Sequence, residues 1–121
     1  MLSGCGKKDE AKTKNNSEIK YTAYYFHPTA RCESCLNLEA YIKELIESKY
    51  SSKGFVYKSF NIEQKENEHF RNDYNLQFSS VVIENSENKK WKNLDSIWSF
   101  TNNKIKFFEY TEKEINQFIN N

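Results

Sequence analysis

Cys32-Glu33-Ser34-Cys35 is the stretch whose residue types and spacing best suit chemistry. In a C-x-x-C at a helix start the two sulfurs stand on adjacent turns, close enough to close a small disulfide ring. Cys32, nearer the helix start, meets the positive end of the helix dipole and unpaired amide donors, which stabilise thiolate. Arg31 adds to that effect and Glu33 opposes it, so a thiol less acidic than in strongly oxidising proteins is expected. Cys35 falls on one helical face with Leu38 and Ile42 and is expected to be the more buried, resolving sulfur. The chemistry this favours is thiol–disulfide exchange, with Cys32 attacking a substrate disulfide and Cys35 resolving the mixed disulfide. His27, on the approaching loop, would tune the thiolate or accept a proton; the plainer alternative is a loop histidine without a role. Two duller readings compete. One is an inert structural disulfide; the other is a soft-metal site for an ion such as Cu(I), built from Cys32, Cys35 and His27. A single C-x-x-C is half of a tetrahedral zinc site, and the chain has neither a second one nor paired histidines.

Alternating elements must hold that pair in place. Tyr21 to Phe26 is an apolar, β-prone run that leads through His27-Pro28-Thr29-Ala30-Arg31 to the cysteines. Beyond them Leu38, Tyr41, Ile42, Leu45 and Ile46 mark the buried stripe of an amphipathic helix. Ser51-Ser52-Lys53-Gly54 breaks that helix, and Phe55 to Phe60 reads as a second strand. Glu63 to Tyr74 suggests a surface helix with Phe70 and Tyr74 as its narrow buried stripe; His69 there is taken as solvated. Ser79 to Glu84 has the continuous apolar centre of a buried third strand. After the turn Asn85-Ser86-Glu87-Asn88, Lys89 to Lys92 is expected to be a fourth strand with Trp91 inward. Leu94, Ile97, Trp98 and Thr101 then fall at helical spacing. The last helix carries Phe107, Phe108, Thr111, Ile115, Phe118 and Ile119 on one face. Thr111-Glu112-Lys113-Glu114 has capping-box form, but the stripe through Phe107 and Phe108 favours one longer helix. The order β-α-β-α-β-β-α-α is that of an α/β protein: early alternation implies parallel pairing, and the closing hairpin adds an antiparallel edge.

Composition bounds the rest. With 121 residues, 8 Tyr, 9 Phe and 2 Trp, one domain can build a core without disulfide staples. Basic and acidic residues number 18 and 17 and are interspersed, which argues against a nucleic-acid partner. No run approaches the length of a membrane span. Three glycines make a nucleotide-binding loop a poor fit, and no Ser/His/Asp order or paired-carboxylate site stands out. No cofactor is expected beyond the Cys32–Cys35 couple.

The element order and the placement of Cys32-Glu33-Ser34-Cys35 resemble the thioredoxin fold over about Ile19 to Ile119. That implies a three-layer α/β/α domain around a mixed sheet of about four strands, and a thiol–disulfide oxidoreductase or electron carrier acting on protein or small-molecule thiols and disulfides. More narrowly, Tyr24-Tyr25-Phe26-His27 before the cysteines and Trp91 to Trp98 downstream are similar to a bacterial thioredoxin-like family labelled nitrophenyl-compound nitroreductase subunit, although no flavin-binding pattern is visible. Thioredoxins place a cis-proline before the third strand, where it helps bind substrate backbone and discourages metal capture. Here the one proline is Pro28, and Phe78-Ser79-Ser80 occupies that place. Ser79 and Ser80 are therefore supporting candidates, and the change keeps open a non-enzymatic module binding a soft metal or a partner protein.

The third cysteine stands apart. Leu2-Ser3-Gly4-Cys5 resembles the lipobox of bacterial lipoproteins, in which the cysteine is lipidated, although only Met1 precedes it. Residues 6 to 18 are charged and lack large apolar side chains, as in a flexible tether. The expectation is a lipid anchor at Cys5, a tether through residue 18 and a folded domain over 19–121, held at the cell envelope facing the periplasm.

Overall fold

Strand β1, Tyr21–His27, lies between two partners. Strand β2 (Phe55–Asn61) flanks it on one side and β3 (Ser80–Asn85) on the other, with β4 (Trp91–Asn93) beyond β3. These elements come from a computed structural model that describes residues 19–76 and 78–120; Cys5 and the tether lie outside the described residues. β1 and β2 run parallel, Tyr21 opposite Phe55 and His27 opposite Asn61. β3 is antiparallel to β1, Phe26 opposite Ser80, and β4 is antiparallel to β3, Glu84 opposite Trp91.

A parallel pair needs a crossover, and helix α1 (Glu33–Leu45) supplies it. Its buried residues Leu38, Ile42 and Leu45 repeat at helical spacing. A π turn (Ile46–Tyr50) and a 3-10 turn (Ser51–Lys53) extend it. Gly54, at φ 92°, then turns the chain into β2, a left-handed conformation that glycine takes without steric cost.

Because side chains alternate along a strand, the sheet buries two separate sets of residues. Ala23 and Tyr25 of β1 and Val81 and Ile83 of β3 face one core with Leu38, Ile42, Leu45 and Ile46. Phe107 and Ile115 of helix α3 (Lys104–Asn120) complete that core, with Leu94 and Ile97 from the stretch before it. Phe26 and Val82 face the other side and pack with Ile62, Tyr74 and Leu76, bordered by Tyr24, Phe60 and Phe70. Only a 3-10 turn (Lys65–Asn67) and the short helix α2 (His69–Asp73) lie near those rings. The result is three layers, α/β/α, around a mixed four-stranded sheet. The fold is thioredoxin-like.

The structure refines four sequence expectations. The surface helix expected over Glu63 to Tyr74 is two short pieces, although Tyr74 is buried as its stripe implied. The helical spacing of Leu94 to Thr101 belongs to a 3-10 helix, Asp95–Phe100. The last helix is one continuous element from Lys104, so Thr111 lies inside it. Trp91 is 40% exposed rather than inward. It stands opposite Glu84 on the aromatic face, and Tyr74 meets it edge-on at 5.3 Å. No helix among the described residues is long and apolar enough to cross a membrane.

Candidate redox site

β1 ends at His27 and α1 begins at Glu33, so the intervening loop must turn the chain across the sheet end. Three bonds fix that loop, and a fourth anchors the helix that follows it. Ile62 N–H donates to the His27 carbonyl at 2.8 Å, Asn61 Nδ2 donates to Thr29 Oγ1 at 2.9 Å, and Thr29 N–H donates to Glu63 Oε1 at 3.3 Å. On the far side Asn37 Nδ2 donates to the Thr101 carbonyl at 3.2 Å, tying the first turn of α1 to the segment before α3.

Cys32 is the N-cap of α1, in extended conformation. Its Sγ accepts the N–H of Cys35 at 3.1 Å, and its carbonyl accepts Leu36 N–H at 3.0 Å as the first helical bond. Cys32 and Cys35 are joined as a disulfide with Cα atoms 5.0 Å apart. Cys32 is exposed and Cys35 half-buried. An N-cap leaves early amides without intrahelical partners. When the pair is reduced, the Cys35 amide that faces Cys32 Sγ would stabilise a thiolate there, with the positive end of the helix dipole adding to it. Tyr25 Oη donates to the Cys35 carbonyl from below at 3.3 Å, so the sheet supports the second cysteine directly.

His27 belongs to β1 rather than to the loop, and it is buried beside Tyr25, ring centroids 5.3 Å apart. Its Nδ1 lies 2.8 Å from the Pro28 carbonyl and its Nε2 2.7 Å from Arg31 Nη2. Nδ1 also accepts from Arg31 Nε at 3.2 Å, so Arg31 reaches both ring nitrogens. Arg31 also binds Glu39 Oε1 at 2.5 Å, so its charge is shared with a carboxylate instead of being reserved for Cys32. Among the described residues no group of three or more His, Cys, Asp or Glu side chains stands close enough to hold a metal ion.

Ser80 pairs with Phe26, and this register sets Ser79 at the level of His27, the end of β1 from which the loop to Cys32 leaves. Both serines are buried, and Ser80 Oγ donates to the Phe78 carbonyl at 3.0 Å. Among the described residues there is no cis peptide bond. Phe78, immediately before them, is 62% exposed, and Leu36, immediately after Cys35, is 52% exposed. Glu33 is exposed beside Cys32, while His69 is on the surface with its Nδ1 2.7 Å from Asp73 Oδ2.

The structure also gathers residues that the sequence reading did not single out. Under α1, Tyr25, Tyr57 and Glu39 join Arg31 and His27 in a polar cluster. Burial, reinforced by the nearby Glu39 carboxylate, pushes the phenols of Tyr25 and Tyr57 up to about 12. Tyr57 Oη is buried without a hydrogen-bond partner. The available signal was the spacing of Glu39, four residues after Cys35 and so one turn further along the same side of α1.

No protein-family model and no curated protein matches the chain. Among solved structures the chain is similar to the germline-specific thioredoxin Deadhead of Drosophila melanogaster, at 20% identity over 65% of this chain and 71% of that one, TM-score 0.48. It is also similar to a thioredoxin from Thermus thermophilus, at 17% identity over 62% of this chain and 58% of that one, TM-score 0.43.

Proposed function

We propose that the protein is a thiol–disulfide oxidoreductase that works through Cys32 and Cys35. The observation that carries the reading is the bonded pair at the cap of α1, with the outer sulfur exposed and the Cys35 amide directed at it. In the reducing direction the Cys32 thiolate attacks one sulfur of a substrate disulfide. A mixed disulfide forms and the first substrate thiolate leaves. The Cys35 thiolate then attacks Cys32 Sγ, the second substrate thiolate leaves, and the Cys32–Cys35 bond is restored. Two electrons pass from the protein dithiol to the substrate, and the reverse sequence oxidises a dithiol. Exposed Leu36 and Phe78 suit the docking of an apolar polypeptide segment beside the pair.

The finer assignments belong to the same proposal. The chain is read as a member of the thioredoxin-like family labelled nitrophenyl-compound nitroreductase subunit, anchored by lipid at Cys5 and facing the periplasm. Its partners are protein or small-molecule thiols and disulfides. In an insulin-reduction or dithiol-oxidation assay, Cys32→Ser should abolish turnover and Cys35→Ser should accumulate the mixed disulfide. Stoichiometric Cu(I) binding without turnover by the unmodified chain would reject the reading. Lipid incorporation that persists in Cys5→Ser would reject the anchor.

A further inference from the structure

The end of the sheet remote from the disulfide has a different character. β1 runs from Tyr21 to His27, about 20 Å at the rise of an extended strand, so Lys20 and the cysteines lie at opposite ends. Three segments meet at the Lys20 end. Lys20 N–H donates to the Gly54 carbonyl at 2.9 Å, and Ser86 N–H donates to the Lys20 carbonyl at 2.8 Å. These bonds bring Lys53 and the β3–β4 turn to the point where residues 1–18 join the domain.

Lys20, Lys53, Lys89 and Lys90 are all exposed there. Among the described residues none of the four has an acidic ion-pair partner, whereas Lys92 is paired with Glu114. The one exposed carboxylate in the β3–β4 turn is Glu87; Glu84, further along β3, accepts from Tyr74. Two clefts open between the lysines. One, of about 630 Å³, includes Lys89, Lys90, Trp91 and Phe118 in its wall. The other, of about 560 Å³, includes Lys20 and Lys53, and Ile119 borders both. Amines beside a half-exposed indole and the apolar end of α3 match a surface of anionic headgroups over acyl chain, where lysines snorkel and tryptophan settles at the interface.

We infer that this lysine-lined end is a docking surface for an anionic lipid bilayer. It rests on the anchor reading only for delivery of the domain to the membrane. Thirteen residues lie between Cys5 and Ile19, so an anchored domain would meet the bilayer with its tethered end first. Docking there holds Cys32 on the far side, open to partners. Charge complementarity favours lipid over a protein partner because the lysines come from three segments and surround shallow clefts.

The test uses the whole chain with Cys5→Ser, so that lipidation plays no part and failure of the anchor reading is separate. Co-sedimentation is measured with phosphatidylglycerol-rich and with pure phosphatidylcholine vesicles, at low and high salt. Binding should occur on the anionic vesicles alone, should weaken with salt, and should fall on the order of a thousandfold when Lys20, Lys53, Lys89 and Lys90 are all changed to Gln. Lys89→Gln/Lys90→Gln alone, on an exposed turn, should lower it about thirtyfold and guards against misfolding of the larger variant. An unchanged rate of Cys32–Cys35 reduction by dithiothreitol reports that each variant is folded. The proposal is overturned by equal binding to both vesicle types, by no binding, by unaltered binding in the variants, or by saturable binding of inorganic phosphate without vesicle binding.

Discussion

The two faces of the sheet are covered by different means. On one, α1 and α3 stand side by side, with Tyr41 edge-on to Phe107 at 5.1 Å and Tyr50 Oη donating to Asn116 Oδ1 at 3.1 Å. On the other, five-residue α2 leaves the covering to aromatic rings, including Phe26–Phe70 and Phe60–Phe70, both at 4.9 Å. The redox pair belongs to the helical face. There a rigid helix, braced from below by Tyr25 and from the side by Asn37, holds Cys32 in its cap. The aromatic face carries no part of the pair and needs chiefly to exclude water, which a few large rings do with little chain.

If both faces are needed for the fold, a cavity on either should be severe. Phe26→Ala on the aromatic face is expected to cost about 3–5 kcal/mol and Leu38→Ala under α1 about 2–5 kcal/mol, read from urea midpoints. A cost near zero for Phe26→Ala would mean that the aromatic face merely decorates the helical one.

Alkaline pH probes the faces more gently. An unfolded tyrosine ionises near 10.0, whereas folded Tyr25 and Tyr57 keep their protons to about 12 because they are buried, beside Glu39. Their contribution is complete below pH 10 and declines as pH rises toward 12, since the unfolded chain then binds fewer protons. At pH 11 the expected loss is about 1 kcal/mol for each of the two phenols, checked by denaturant unfolding. Tyr74, on the aromatic face, is also pushed up, by burial and then by its bond to Glu84, and adds loss of the same sign. Tyr57→Phe should remove its share of the alkaline loss while leaving neutral-pH stability unharmed, because its hydroxyl has no partner to lose.

The smallest effect is expected where α1 and α3 meet solvent. Lys49 and Glu112 pair at 3.0 Å, both partly exposed. Lys49→Ala should change stability by less than about 0.5 kcal/mol, and less again in high salt. A larger loss would show that the helical face depends on its charged seam as well as its core.

The helical face was the more legible in sequence. Leu38, Ile42 and Leu45 repeat at the helical period, and the cysteines stand ahead of them, so helix, buried stripe and sulfur placement follow from spacing. The aromatic face was harder to read because α2 is too short to show a period, and Phe26 looks like any apolar strand residue. Trp91 went outward because β4 is three residues long and little beyond Tyr74 reaches over it. The polar cluster escaped because Glu39 reads as solvated helix surface and Tyr25 as plain core; only the folded register brings them under Cys35. His27 was expected on a loop because Pro28 marks a break, yet the ladder runs one residue further, to Asn61.

The most direct test of the account is equilibration of the oxidised full chain in glutathione buffers of graded poise, with the Cys32–Cys35 state read by thiol alkylation and mass. A reversible two-electron transition shared by Cys32 and Cys35, lost in Cys32→Ser, is the expected result. A pair that stays bonded at every poise, or that opens without exchanging with glutathione, would contradict a working redox centre and leave an inert disulfide at the cap of α1.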